Sequence, residues 1–160
     1  IWSISSKDIG DALSKGFDTT IDFSKISLVD VVIICVPTPL TKYGQPDLRY
    51  LIESINSIMP YIKKGQLISI ESTTYPGTTE EELIPKLKQK GFILGKNIFV
   101  CYSPEREDPG NESYSTRTIP KVIGANTKDC LKVAVSTYSA AIKKVVPVSS
   151  IKVAEMIGLP

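Results

Sequence analysis

Short runs of apolar residues recur along the chain, separated by longer stretches in which apolar residues have helical spacing. The runs cover residues 31–36 (V-V-I-I-C-V), 66–71 (Q-L-I-S-I-E) and 97–101 (N-I-F-V-C). Continuous β-branched runs are typical of strands in a parallel sheet that is covered on both faces. We therefore predict three strands here, with residues 31–36 buried on both faces. Shorter strands are predicted at residues 121–125 and 145–148, and residues 17–22 are a further candidate.

Helical spacing predicts five helices, which cover residues 8–17, 47–59, 79–90, 127–141 and 151–157. We expect Asp47 to cap the second helix, Thr78 or Thr79 the third, and Ser149 or Ser150 the last. Strands and helices alternate, with crossovers of about thirty residues, and this pattern predicts an α/β fold with a mostly parallel sheet. No internal repeat or linker divides the chain, so we expect one domain.

Composition narrows the function classes. The 160 residues carry a net charge of +2 and basic residues are scattered, so we expect neither nucleic acid nor a membrane as a partner. The chain has no histidine, which argues against a zinc site or a histidine-dependent catalytic pair, and no metal site is predicted. Cys35, Cys101 and Cys130 lack CxxC spacing and lie in apolar stretches. We expect them to be core residues of a cytoplasmic protein without disulfides.

Each of the three long apolar runs ends in a loop rich in prolines, hydroxyl groups or carboxylates. We call these loops the proline loop (residues 37–39, P-T-P), the threonine loop (residues 72–77, S-T-T-Y-P-G) and the glutamate loop (residues 103–111, S-P-E-R-E-D-P-G-N). In open α/β sheets, ligands bind outside the carboxyl ends of the strands. The recurrence of such loops therefore predicts a binding site at this edge of the sheet.

Five sets of residues in this order resemble the UDP-glucose/GDP-mannose dehydrogenase family of nucleotide-sugar dehydrogenases, and more specifically its UDP-N-acetylglucosamine and UDP-N-acetylmannosamine 6-dehydrogenase branch. They are V-P-T-P at 36–39, E-S-T-T-Y-P-G-T-T at 71–79, S-P-E-R-E-D-P-G-N at 103–111, K-V-I-G at 121–124, and V-S-S followed by A-E-M within 148–156. Each string alone is a weak signal, but their common order and spacing make a strong one. The resemblance implies a partial Rossmann-like fold, with a doubly wound, mostly parallel sheet and helices on both faces.

The resemblance also implies roles for individual residues. The implied cofactor is NAD, and the residues expected to contact it are Val36, Pro37, Thr38, Thr73, Thr74 and Glu105. Glu105 matches the family's catalytic glutamate, which assists water and proton transfer, and Thr73 would help to hold the hydrolytic water. Arg106 and Glu107 match positions whose backbone lies against the UDP-sugar.

Simpler interpretations of the same residues stay open. Thr73 and Thr74 could be ordinary turn and cap residues, and which of them matches the family threonine depends on whether Gly77 or the preceding proline is aligned. Glu105 could serve only as an ion-pair partner of Arg106. We interpret Cys130, which lies on a helix face, as a core residue and not as a nucleophile.

The family's GxGxxG turn is absent, because no Gly-x-Gly occurs in the chain. The resemblance implies that the first βαβ unit would precede Ile1, and that the catalytic Lys, Asn and G-x-C nucleophile would follow Pro160. We therefore expect a fragment: residues 1–150 as the later part of the NAD-binding domain, and 151–160 as the start of the helix leading to the substrate domain. Alone, it is expected to be inactive and to bind NAD weakly.

Two function classes follow. The first is part of an NAD-dependent enzyme that oxidises the C6 alcohol of a UDP-hexose or UDP-N-acetylhexosamine to the uronate in two steps, for polysaccharide precursor synthesis. The resemblance implies a homo-oligomer for the full-length enzyme, although its dimerising helix is not in this chain. The alternative is a non-catalytic nucleotide-binding or interaction module that retained the sheet.

Overall fold

A computed structural model describes residues 5–105 and 119–158. It contains one mixed sheet with the order β1-β2-β3-β4-β5. The strands are β1 (Val31–Ile34), β2 (Leu67–Ile70), β3 (Phe99–Tyr102), β4 (Lys121–Ala125) and β5 (Val145–Pro147). β1, β2 and β3 are parallel, β4 runs antiparallel to β3, and β5 is parallel to β4. The predicted, mostly parallel α/β sheet is therefore confirmed.

Helices cover both faces of this sheet. α2 (Arg49–Ile58), α3 (Ile84–Gln89) and α5 (Ile151–Ile157) lie on one face and α4 (Lys128–Ser139) on the other, and the π-helical segment Thr79–Leu83 leads directly into α3. α1 (Ser6–Ser14) buries none of its residues. Because side chains alternate along a strand, the sheet supports two cores. Ile68 and Ile70 share one core with residues of α2, α3 and α5, whereas Leu67 lies in the other with Ala134 and Tyr138 of α4.

Two predictions about strands are wrong. Residues 17–22 form no strand, and Ile21 is 99% exposed. The side chains of Asp18 and Thr20 accept hydrogen bonds from nearby backbone N–H groups, which competes with strand pairing. β1 is also not buried on both faces, since Ile33 is 49% exposed. Within the described residues β1 is an edge strand, and α4 packs over the strands farther along the sheet.

The predicted helix caps are partly confirmed. Ser150 caps α5 as expected, its side chain accepting from the Val153 N–H at 3.2 Å. Asp47 accepts from the Arg49 N–H at 3.1 Å, although Leu48 holds the cap position of α2. Neither Thr78 nor Thr79 caps the third helix through its hydroxyl: the Thr78 hydroxyl donates to the Tyr75 carbonyl at 2.7 Å. That helix receives its cap from a distant residue, as described below.

Candidate active site

The described parts of the three loops meet at one edge of the sheet, as their positions after parallel strands predict. Ile34, Ile70 and Tyr102 stand side by side in the strand register, so the chain leaves β1, β2 and β3 at the same level. The Val36 N–H donates to Ser72 Oγ at 2.8 Å, which ties the start of the proline loop to the threonine loop. The Tyr102 hydroxyl donates to the Ser72 carbonyl at 3.1 Å and links the third strand to the same residue.

The residues expected to contact NAD differ in accessibility. Within the threonine loop, Thr73 is partly exposed, whereas Thr74 is fully buried. In the proline loop, Thr38 is partly exposed and Pro37 is exposed. Of the two candidate threonines, only Thr73 therefore presents surface to a ligand at this edge.

A buried ion pair lies directly below the loops. The Glu71 side chain, which continues β2, lies 2.8 Å from Lys121 Nζ at the start of β4, and both side chains are 9% exposed. Burial by itself would lower the pKa of Lys121, but the hydrogen bond and charge of Glu71, together with Glu105, outweigh it, so that the pKa is raised. The Lys121 ammonium therefore remains charged at neutral pH.

Tyr138 of α4 completes the surroundings of Glu71. Its hydroxyl donates to Glu71 Oε1 and lies 2.8 Å from Ser69 Oγ. Burial, followed by the negative charge of Glu71, raises the pKa of Tyr138. The phenol therefore stays protonated and acts as a hydrogen-bond donor to the carboxylate.

Glu105 reaches the same lysine from the glutamate loop. Glu105 Oε2 lies 3.1 Å from Lys121 Nζ, and the Glu105 side chain is 46% exposed. Lys121 thus bridges a buried carboxylate and an accessible one. Arg106 and Glu107 lie outside the described residues. The alternative that Glu105 pairs with Arg106 therefore stays a prediction.

A second buried carboxylate lies on the other face of the sheet. Glu155 of α5 is fully buried and accepts hydrogen bonds from the Gly77 N–H at 2.5 Å, the Thr79 N–H at 2.9 Å and the Thr79 hydroxyl at 2.7 Å. It is the cap of the segment that follows the threonine loop, and a carboxylate at a helix N-terminus is favoured by the helix dipole.

No role was predicted from the sequence for Glu71, Lys121, Tyr138 or Glu155. Glu71, Lys121 and Glu155 occur in the strings that carry the family resemblance, and each is a charged residue in or directly beside a largely apolar strand or helix. That position is the signal that could have identified them, since a charged residue is seldom fully buried without a partner.

The cysteines divide into two groups. Cys130 is buried, with its Sγ 3.5 Å from the Val100 backbone N, so its interpretation as a core residue is confirmed. Cys101 is also buried, and burial raises its pKa to about 12. Cys35, expected in the core, is instead exposed at the carboxyl end of β1, 4.0 Å from Glu71 Oε2. Partial burial and then the Glu71 charge raise the pKa of Cys35, so this thiol is protonated at neutral pH.

Residues 5–105 and 119–158 contain no cluster of three or more potential metal ligands. None of the helices in these segments has the length and apolar character needed to cross a membrane.

Comparisons with known proteins bear on this site. Residues 6–142 match the model of the UDP-glucose/GDP-mannose dehydrogenase family, NAD binding domain. The chain is 39% identical over 144 residues to Protein CapL of Staphylococcus aureus, an alignment that covers 89% of this chain and 34% of that protein. It is 37% identical over 138 residues to the UDP-N-acetyl-D-glucosamine 6-dehydrogenase of Pseudomonas aeruginosa, covering 85% of this chain and 33% of the relative.

Solved structures show the same likeness. The crystal structure of NDP-N-acetyl-D-galactosaminuronic acid dehydrogenase from Methanosarcina mazei Go1 superposes with a TM-score of 0.85 at 32% identity, covering 94% of this chain and 33% of that one. The Rossmann-like fold implied by the sequence is therefore confirmed. The chain spans about a third of the length of the curated relatives that it matches.

Proposed function

Because the chain belongs to the UDP-glucose/GDP-mannose dehydrogenase family, we propose that it is part of an NAD-dependent nucleotide-sugar 6-dehydrogenase. The complete protein would oxidise the C6 alcohol of a UDP-hexose or UDP-N-acetylhexosamine to the uronate in two NAD-dependent steps. Relatives whose names specify UDP-N-acetylglucosamine and UDP-N-acetylmannosamine support the N-acetylated class of substrate. Residues 1–150 would form the later part of the NAD-binding domain, and α5 would begin the connection to a substrate domain.

This proposal is carried by one observation: the three loops meet at the same edge of the sheet. This edge presents the partly exposed Thr73, and it holds the accessible Glu105 carboxylate beside Lys121. A carboxylate is a suitable general base for an alcohol or a water, and the ammonium 3.1 Å away compensates its charge before the proton is taken up.

The chemistry of the loops fits the nicotinamide and ribose portion of NAD better than its pyrophosphate. The proline and threonine loops, residues 37–39 and 72–77, contain no charged side chain. A pyrophosphate prefers a helix N-terminus with free N–H groups. Backbone N–H groups near the start of the helices after these loops already donate to carboxylates. The Arg49 N–H of α2 donates to Asp47, and the Thr79 N–H of the segment leading into α3 donates to Glu155. When bound, NAD supplies the hydride acceptor for alcohol oxidation.

In this proposal, residues of this chain hold the cofactor, orient the water and accept protons. The hydroxyls of Thr38 and Thr73 and the backbone of Val36 and Pro37 would hold the cofactor. Thr73 would also orient the hydrolytic water, and Glu105 would accept protons. The backbone of Arg106 and Glu107, outside the described residues, would lie against the sugar nucleotide.

Titration of the chain with NAD, by calorimetry or ligand-observed NMR, tests the cofactor assignment. Thr73→Val removes the hydroxyl of the partly exposed threonine with little change in shape, and we expect NAD affinity to fall roughly fivefold to tenfold, the value of one hydrogen bond. Thr74→Val is the matched control, because Thr74 is buried, and its affinity should stay within about twofold of the wild type.

The reverse pattern, with Thr74→Val weakening NAD and Thr73→Val neutral, would transfer the family threonine to Thr74. NAD binding that neither substitution changes would instead favour the alternative, a non-catalytic nucleotide-binding or interaction module that keeps the sheet.

A further inference from the structure

We propose that Glu155 is a positioning residue, through which α5 sets the conformation of the threonine loop. The proposal rests on the function proposed above, because the loop carries Thr73. Glu155 lies 76 to 78 positions away from its partners in sequence and is fully buried. Its carboxylate accepts three hydrogen bonds, all from Gly77 and Thr79 at the end of the loop.

Glu155 and the loop depend on each other. An ionised carboxylate is costly to bury unless other groups replace its hydration. None of the ion pairs within residues 5–105 and 119–158 includes Glu155, so the two backbone N–H groups and the Thr79 hydroxyl provide that replacement. If the loop moved, the carboxylate would lose its donors; if the carboxylate were removed, two buried N–H groups would lose their acceptor.

The segment between these anchor points is short. At its beginning, Ser72 receives hydrogen bonds from the Val36 N–H and the Tyr102 hydroxyl. At its end, Gly77 is held by Glu155 and has a φ of 109°, a conformation that disfavours other residues. Residues 73–76 are therefore fixed at both sides, and the position of the Thr73 hydroxyl depends on the Glu155 anchor.

α5 also lies close to the start of the glutamate loop. A methyl group added at Gly158 would come within 2.8 Å of the Pro104 side chain and of the Tyr102 hydroxyl. A methyl group at Gly124 of β4 would overlap the Ser150 carbonyl at the beginning of α5. These small residues let the helix approach the sheet edge closely enough for Glu155 to reach the threonine loop.

Glu155→Gln tests the proposal, because it keeps the shape of the side chain, removes its negative charge and turns one acceptor atom into a donor. The first measurement is the hydrogen exchange of the Gly77 and Thr79 amides in ¹⁵N-labelled chain. We expect exchange to become about tenfold to a hundredfold faster, since a bond to a charged acceptor is lost or weakened. The amide proton shifts of both residues should also move.

NAD affinity is the second measurement. If the ordered loop conformation falls to about a tenth of the molecules, the apparent Kd for NAD rises about tenfold. Lys152→Ala is the matched control, because Lys152 forms an exposed ion pair with Glu80 at 3.0 Å and so links the same two elements at the surface. We expect this control to leave both amide exchange and NAD affinity within about twofold of the wild type.

Unchanged exchange at Gly77 and Thr79 in Glu155→Gln would overturn the proposal. Faster exchange with unchanged NAD affinity would also overturn it, because Glu155 would then stabilise the fold without positioning the cofactor residue. An NAD affinity left unchanged by Thr73→Val would remove the proposed cofactor contact, while the exchange data would still decide whether Glu155 holds the loop. If Glu155→Gln does not fold, Thr79→Val removes only the hydroxyl donor, and the same changes are expected with smaller size.

Discussion

One buried carboxylate lies on each face of the sheet, near the same edge. The two carboxylates are stabilised by different kinds of partner. On the face covered by α4, Glu71 is paired with the Lys121 ammonium and the Tyr138 hydroxyl. On the opposite face, Glu155 is surrounded by backbone N–H groups and one hydroxyl. The negative charge of Glu71 is balanced by a cation, whereas Glu155 is stabilised by hydrogen bonds that depend on the conformation of a loop.

This difference separates two tasks. The Glu71 pair places a cation below the glutamate loop, where Lys121 also reaches Glu105, so this face sets the electrostatics of the candidate site. Glu155 brings no positive charge to the loops, but it fixes the backbone that carries Thr73. Changes on the α4 face should therefore alter stability and its dependence on pH, whereas changes at Glu155 should alter loop geometry.

The largest effect is expected for Lys121→Met. The substitution leaves the Glu71 carboxylate buried without its cation, and breaking a buried pair in this way costs about 3–5 kcal/mol of unfolding free energy. Urea unfolding at pH 7 measures the loss. Lys152→Met, which breaks only an exposed pair, should cost less than about 1 kcal/mol. Equal losses in the two variants would contradict the distinction between the buried and the exposed pair.

The double variant Glu71→Gln with Lys121→Met sharpens the comparison. Removing both charges avoids the unpaired buried ion, so we expect roughly 2 kcal/mol of the loss to be recovered. The same urea experiment decides the matter. A double variant no more stable than Lys121→Met would show that charge compensation is not what Lys121 contributes.

Alkaline pH should weaken the α4 face. The folded-state pKa values of Tyr138 and Lys121 are both raised, from ordinary values of 10.0 and 10.5. Their contributions are therefore complete below about pH 10, and are lost as the pH rises from these ordinary values through the folded-state values. Tyr138→Phe should be less stable by about 1 kcal/mol at pH 7, and the gap should narrow above pH 10. A constant gap in unfolding experiments across that range would argue against the assignment.

The smallest effect concerns thiol reactivity and needs no mutation. Cys35 is exposed, whereas Cys101 and Cys130 are buried and the pKa of Cys101 is raised to about 12. We expect a thiol reagent at pH 8 to modify Cys35 first, and the other two only after unfolding. Peptide mapping by mass spectrometry identifies the modified residue. Early modification of Cys101 would be inconsistent with its place between the sheet and α4.

Much of the fold follows from local pattern. The apolar runs that contain β1, β2 and β3, and the helical spacing between them, were sufficient to predict the alternation and the meeting of three loops at one edge. The prediction failed at residues 17–22, where short polar side chains bond to the nearby backbone, and at the exposed side of β1, where burial depends on what packs over an edge strand.

The sequence by itself determined the family, the loops and the candidate residues Thr73 and Glu105, because these depend on the order and spacing of neighbouring residues. Only the tertiary structure decided which groups surround the two buried carboxylates. Lys121 and Glu71 are 50 positions apart, and Glu155 and Gly77 are 78 apart. Local propensity carries no information about such pairs, since folding brings them together through sheet order and helix packing. Burial then makes each pairing necessary, because an uncompensated charge in the interior would be too costly.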